Sequence, residues 1–153
     1  MHRSRRFRRS GIAIAIATVL ALAVVLGGSP ASADDAFDHA SSSSAPPQDA
    51  HCTSVGSVRG CFREYGDSWW LYNPSGTGRV YIKWWNWLYS SSRTWELHRM
   101  GMCFSDDQQG WAKCNKDYYE MGTVNKFGDE GSRLEWYVCK DSCSLPQLTY
   151  NHH

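Results

Sequence analysis

Beyond its N-terminal thirty-odd residues, this chain has no apolar run long enough to cross a membrane, no surplus of basic charge and no catalytic signature. A spanning helix needs roughly 20 consecutive apolar residues, so the absence of such a run excludes a membrane span in the body of the chain. Without a basic excess there is no electrostatic footprint for a nucleic-acid partner. No Gly-x-Ser-x-Gly elbow and no His-Glu-x-x-His motif is present, which removes two common hydrolase designs. Apolar residues nowhere recur at a sustained helical period, so long amphipathic helices are not expected either.

What the chain does have begins with its N-terminus. Arg3, Arg5, Arg6, Arg8 and Arg9 precede an apolar run over residues 12–28, and Ala31-Ser32-Ala33 follows. A basic segment, an apolar segment and a small-x-small site together read as a secretory signal peptide over residues 1–33, cleaved after Ala33. The Arg5-Arg6 pair also suits twin-arginine export, but the long apolar segment favours the general secretory route. Cleavage would remove five of the 16 Lys and Arg and leave all 15 Asp and Glu against 11 basic residues, a net charge near −4. Secretion into an oxidising compartment is the expectation.

Residues 34–50 are acidic, carry the run Ser41, Ser42, Ser43, Ser44, and include Pro46 and Pro47. So little apolar side chain does not offset the entropy of ordering, and a disordered linker is expected here. Residues 51–153 then form one domain, which is expected to be a monomer.

That domain holds all eight tryptophans and all eight tyrosines. Turn residues recur at short intervals, and the runs between them alternate with period two. Residues 79–87 place Val80, Ile82 and Trp84 on one face and Arg79, Tyr81, Lys83, Trp85 and Trp87 on the other. Residues 133–138 set Leu134, Trp136 and Val138 against Arg133, Glu135 and Tyr137. Residues 94–99 set Trp95 and Leu97 against Thr94, Glu96 and His98. The pattern predicts an all-β fold, an antiparallel sandwich or small barrel of six to eight short strands.

Six cysteines, all downstream of residue 33, are expected to staple this domain. Six allow 15 connectivities, and sequence alone does not choose among them. Turn-rich intervals favour sequential pairing, Cys52–Cys61, Cys103–Cys114 and Cys139–Cys143. Zinc is disfavoured by the oxidising compartment and by the lack of a second compact Cys/His pair. No metal or other cofactor is expected.

Catalytic candidates are sparse. His98 is placed on the polar face beside Glu96, where a general base is conceivable, but a solvated surface histidine is the more economical reading. Asp106-Asp107 and Asp129-Glu130 lack the ligand spacing of a calcium loop, and turn chemistry accounts for them. His152-His153 reads as a frayed tail. No residue is assigned a catalytic role. The tryptophan pairs say more: in Trp69-Trp70 and Trp84-Trp85 the neighbours must point to opposite faces of a strand, so one of each pair stays outside the core. Tyr81, Lys83, Trp85 and Trp87 are the expected binding stripe, suited to a sugar ring or to a partner protein's hot spot.

The segments Gly60-Cys61-Phe62, Tyr65-Gly66-Asp67, Arg99-Met100-Gly101-Met102-Cys103 and Gly110-Trp111-Ala112-Lys113-Cys114-Asn115-Lys116 carry a resemblance. Over residues 52–143 the chain resembles small secreted proteins of soil actinobacteria. The resemblance implies a compact, disulfide-bonded β-fold and brings no catalytic residues. Secreted amylase inhibitors are a looser comparison, and their Trp-Arg-Tyr triplet is absent here. The function expected is therefore a secreted, non-enzymatic binding module for an extracellular glycan or protein. A small inhibitor or antagonistic toxin is the alternative, and a secreted hydrolase comes third.

Overall fold

The computed structural model describes residues 36–151; the signal segment and His152-His153 lie outside the described residues. Ten strands follow in order: β1 (Phe37–His39), β2 (Ser41–Ser42), β3 (His51–Val55), β4 (Val58–Arg63), β5 (Ser68–Asn73), β6 (Arg79–Ser90), β7 (Trp95–Asp106), β8 (Gly110–Asn115), β9 (Gly128–Cys139) and β10 (Gln147–Asn151). They form two five-stranded sheets, β1-β7-β6-β9-β10 and β2-β8-β5-β4-β3. All pairings are antiparallel except β1 with β7. The fold is all-β, as the alternation predicts.

The core lies between the sheets. Val80, Ile82 and Trp84 from β6 and Leu134, Trp136 and Val138 from β9 meet Phe62, Trp69 and Leu71 of the second sheet. Trp69, Trp84 and Trp136 are almost fully buried, and burying side chains of this size contributes most of the apolar driving force. Tyr118, from the segment after β8, completes the cluster: its hydroxyl accepts the Trp69 Nε1–H at 2.9 Å, and its ring stands edge-on to Trp84 at 5.3 Å. Close packing also needs a glycine. A side chain at Gly60 would press on Val138 and Ile82 of the facing sheet, so the two layers approach closely there.

The cysteines pair 52–61, 103–114 and 139–143. The bridges have different structural tasks. Cys52 and Cys61 face each other across the β3–β4 ladder, within one sheet. Cys103 and Cys114 lie on β7 and β8, in different sheets, so this bridge ties the sandwich together.

Within the span expected as a disordered linker, residues 34–50, the structure instead places two strands over the described residues 37–42. Eight strands come from the expected domain, and β1 and β2 are the two additional ones. The β1 segment pairs with β7 in the first sheet and β2 with β8 in the second, so one short segment crosses between the layers. Ala40 sits at the crossing, 2 % exposed, with its N–H donating to Phe104 O at 2.7 Å. Asp38 pairs with the buried Lys116 ammonium at 2.5 Å. Composition suggested disorder because the segment has little apolar area of its own. It is held instead by ladder hydrogen bonds to two existing strands.

Candidate functional site

The two faces of β6 receive different partners. One face enters the core. The other turns Tyr81, Lys83, Trp85, Trp87 and Tyr89 outward, all partly exposed. Cross-strand register extends this surface on both sides. On β7, Phe104, Met102, Met100, Leu97 and Trp95 stand opposite Tyr81, Lys83, Trp85, Trp87 and Tyr89. On β9, Tyr137, Glu135 and Arg133 stand opposite Lys83, Trp85 and Trp87. Leu148 and Tyr150 of β10 continue the surface opposite Glu135 and Arg133. Among the described residues no further layer of strands covers this face.

Its side chains hold one another in place. Trp85 packs on Tyr137 at 5.4 Å, Tyr89 on Trp95 at 5.1 Å, and Trp95 on Tyr150 at 5.9 Å, all with tilted rings. Cations lie over the rings: Lys83 Nζ is 5.0 Å from Trp85, and the Arg133 guanidinium is 4.5 Å from Trp95 and 5.7 Å from Trp87. Such contacts keep large rings ordered at a water-facing surface. Five large hydrophobic or aromatic side chains remain well exposed on this face: Phe37, opposite Met102 on β7, at 66 %, Leu97 at 41 %, Met100 at 48 %, Leu148 at 53 % and Tyr150 at 42 %.

All four residues of the predicted stripe, Tyr81, Lys83, Trp85 and Trp87, therefore share one outer face, but none is fully open. Trp95 and Leu97 join them there. An irregularity in the β6–β7 register explains why: Asn86 faces Arg99 while Trp87 faces Leu97, so His98 is an extra residue on β7. This bulge shifts the alternation of the strand beyond it.

His98 is displaced from its expected setting as well. It packs against Tyr119 at 5.8 Å rather than facing solvent beside Glu96. Its Nδ1 is buried without a hydrogen bond. Burial, then the charges of Lys126 and Arg99, hold its pKa below the ordinary histidine value. Glu96 instead accepts a hydrogen bond from Thr94 Oγ1 at 2.8 Å. The oriented imidazole a general base requires is not formed.

The adjacent carboxylates are occupied by local structure. Asp106 takes two hydrogen bonds from Arg79, at 2.6 and 2.9 Å, which together with the arginine charge hold its carboxyl below the usual range. Asp107 accepts the Gly78 N–H at 2.6 Å, and Asp129 Oδ1 accepts the Glu130 N–H at 2.8 Å. Among the described residues no three His, Cys, Asp or Glu side chains converge as a metal site.

The second sheet carries a smaller outer aromatic set. Trp70, the outward member of its pair, is only 5 % exposed. It lines a hollow with Ser43, Ser44, Ala45 and Pro47, so the segment after β2 shelters it, and Lys113 Nζ lies 4.7 Å over its ring. The open aromatic face of the first sheet is thus the larger candidate surface. No known protein family, curated protein or solved structure matches this chain. The three disulfides suit an oxidising environment.

Proposed function

We propose that this is a secreted, non-enzymatic binding module whose open first-sheet face docks an extracellular protein partner. The observation that carries the reading is the composition of that face. Trp, Tyr, Arg and Met are the residues enriched where proteins meet, and here they stand side by side among exposed aliphatic side chains. The disulfides and the N-terminal signal pattern support export.

Protein is favoured over glycan by geometry. Sugar rings stack best on open, flat aromatic platforms flanked by hydrogen-bonding groups. Here the neighbouring rings are tilted, Trp85, Trp87 and Trp95 each carry a cation, and the exposed rim is Leu97, Met100 and Leu148. Such a rim gains by leaving water and offers nothing to a hydroxyl.

The test uses oxidised protein immobilised against extracellular protein fractions and, separately, against chitin, cellulose and cell wall. Met100→Glu with Leu148→Glu places charge on exposed positions of the face, and Arg59→Glu on the other sheet is the control. Protein capture that is lost in the double variant and kept in the control is expected. Retention on polysaccharide, equally lost in the double variant, would overturn the protein reading in favour of glycan.

A further inference from the structure

At one end of the aromatic face lies a hollow of about 210 Å³ that sequence alternation gave no reason to expect. Its walls are Tyr89 and Trp95, at the end of the β6–β7 hairpin, and Tyr150 on β10; Met121 contributes from the segment after β8. Trp95 is inclined 56° to Tyr89 and 59° to Tyr150. Rings set at such angles enclose a concave space rather than a flat platform.

Gly131 forms part of the floor of the hollow. Its φ of +102° is one that side chains rarely adopt, and a Cβ there would reach within 4.0 Å of both Trp95 and Tyr89. Nearly all of the lining is apolar, and among the described residues its one charged side chain is Glu130. Arg133 stacks on Trp95 without lining the hollow.

The geometry points to a binding site for a quaternary ammonium group, with Tyr89, Trp95 and Tyr150 as the cage and Glu130 as the counter-charge. Two features select this occupant. Of the polar side chains in the lining, Ser132 already accepts from Asn86 and Asn151 already donates to Tyr119, so beyond Glu130 few groups remain to replace the water that a sugar or a primary ammonium would give up. A methylated ammonium has no N–H to satisfy, presents apolar methyl groups to the rings, and is attracted by their faces and by a nearby carboxylate. The hollow shares Tyr89, Trp95 and Tyr150 with the proposed docking face, but choline binding is read separately from protein capture and does not depend on it.

Choline and 3,3-dimethyl-1-butanol, its uncharged carbon isostere, serve as probes for the oxidised protein, with binding read by saturation-transfer NMR on the ligand methyl groups. Choline is expected to bind saturably, at least about fivefold more tightly than the isostere. Glu130→Gln, at an exposed position, is expected to weaken choline several-fold while leaving the isostere unchanged. Trp95→Ala is expected to abolish binding; should that variant fail to fold, Tyr150→Ala takes its place, with near-UV circular dichroism as the check. Equal affinity for both probes, or indifference to Glu130→Gln, would reduce the hollow to an apolar niche and overturn the proposal. So would displacement of choline by glucose or N-acetylglucosamine, or no saturation at tens of millimolar choline.

Discussion

Inside the protein, the Tyr118 N–H donates to Asp67 Oδ2 at 2.7 Å, joining the β4–β5 turn to the segment that follows β8. A second bond reinforces this junction, from the Lys116 N–H to the Asp67 carbonyl at 2.8 Å. Asp67 is 4 % exposed and adopts a left-handed φ of 45°, a conformation that Asp and Asn tolerate better than most residues. Its other oxygen, Oδ1, is buried without a hydrogen bond. Burial, with smaller contributions from the Glu120 and Asp117 charges, pushes its carboxyl up to about 7; the Tyr118 N–H and the Asn151 side chain pull the other way.

A raised carboxyl pKa has a definite consequence for stability. Below the unfolded value of 3.8 both states hold the proton, and Asp67 contributes no pH dependence. Between 3.8 and about 7 the folded state holds more protons than the unfolded state, so stability falls as pH rises. Above about 7 the penalty of an ionised, buried carboxylate is complete, on the order of 2–4 kcal/mol. Asp67→Asn keeps the acceptor for Tyr118 and the left-handed backbone while removing the charge. Denaturant titrations from pH 4 to pH 8.5 should show the variant gaining on the wild type across this window and exceeding it at the alkaline end. Parallel curves would show that Asp67 does not titrate there.

Tyr118 has a second role that can be separated from the first. Its hydroxyl is the acceptor for Trp69 Nε1–H, and both groups are buried. Tyr118→Phe retains the ring that packs on Phe62 and Trp84 but leaves the indole N–H without its acceptor. The expected loss is about 1–3 kcal/mol, read as a lower urea midpoint at unchanged m-value. An unchanged midpoint would mean that water replaces the hydroxyl.

The alternation of β6 and β9 made the core and the outer stripe legible, because period two holds wherever pairing is unbroken. It failed beyond the bulge at His98. One extra residue carried Trp95 and Leu97 to the outer face, where they extend the candidate surface. No local signal announces a bulge when the residue involved is not glycine. Residues 37–42 escaped for a different reason: their order comes from the strands they bridge, not from their own side chains. The hollow was illegible because Tyr89, Gly131 and Tyr150 meet only through β6–β9 and β9–β10 pairing, with Met121 added from the segment after β8, all far apart in sequence.

The crossing segment depends on an absence at Gly101. A Cβ there would overlap the Ala36 carbonyl oxygen, which accepts the Met102 N–H, and would press on the Trp84 ring. Gly101→Ala should therefore detach β1 or distort β7, at a cost of about 1–3 kcal/mol. Limited proteolysis distinguishes the two outcomes: a detached segment is cleaved near residues 36–42 while the remaining domain stays resistant. A variant as stable and resistant as the wild type would contradict this packing.

The disulfides offer a test of how the sandwich is held. Cys52–Cys61 and Cys103–Cys114 span 9 and 11 residues, so the chain-entropy model gives both about 3 kcal/mol and predicts nearly equal losses. The native state is not so even-handed. Cys52 and Cys61 already face each other across a hydrogen-bonded ladder, with Cys52 partly exposed. Cys103 and Cys114 are 0 % and 4 % exposed and belong to different sheets, so removing their sulfurs opens a hole in the core and also frees the layers. Cys103→Ala with Cys114→Ala is expected to cost about 1–2 kcal/mol more than Cys52→Ala with Cys61→Ala, the difference being the cavity. Equal denaturation midpoints for the two double variants would assign the whole effect to the unfolded chain and leave the inter-sheet bridge with no special part in the fold.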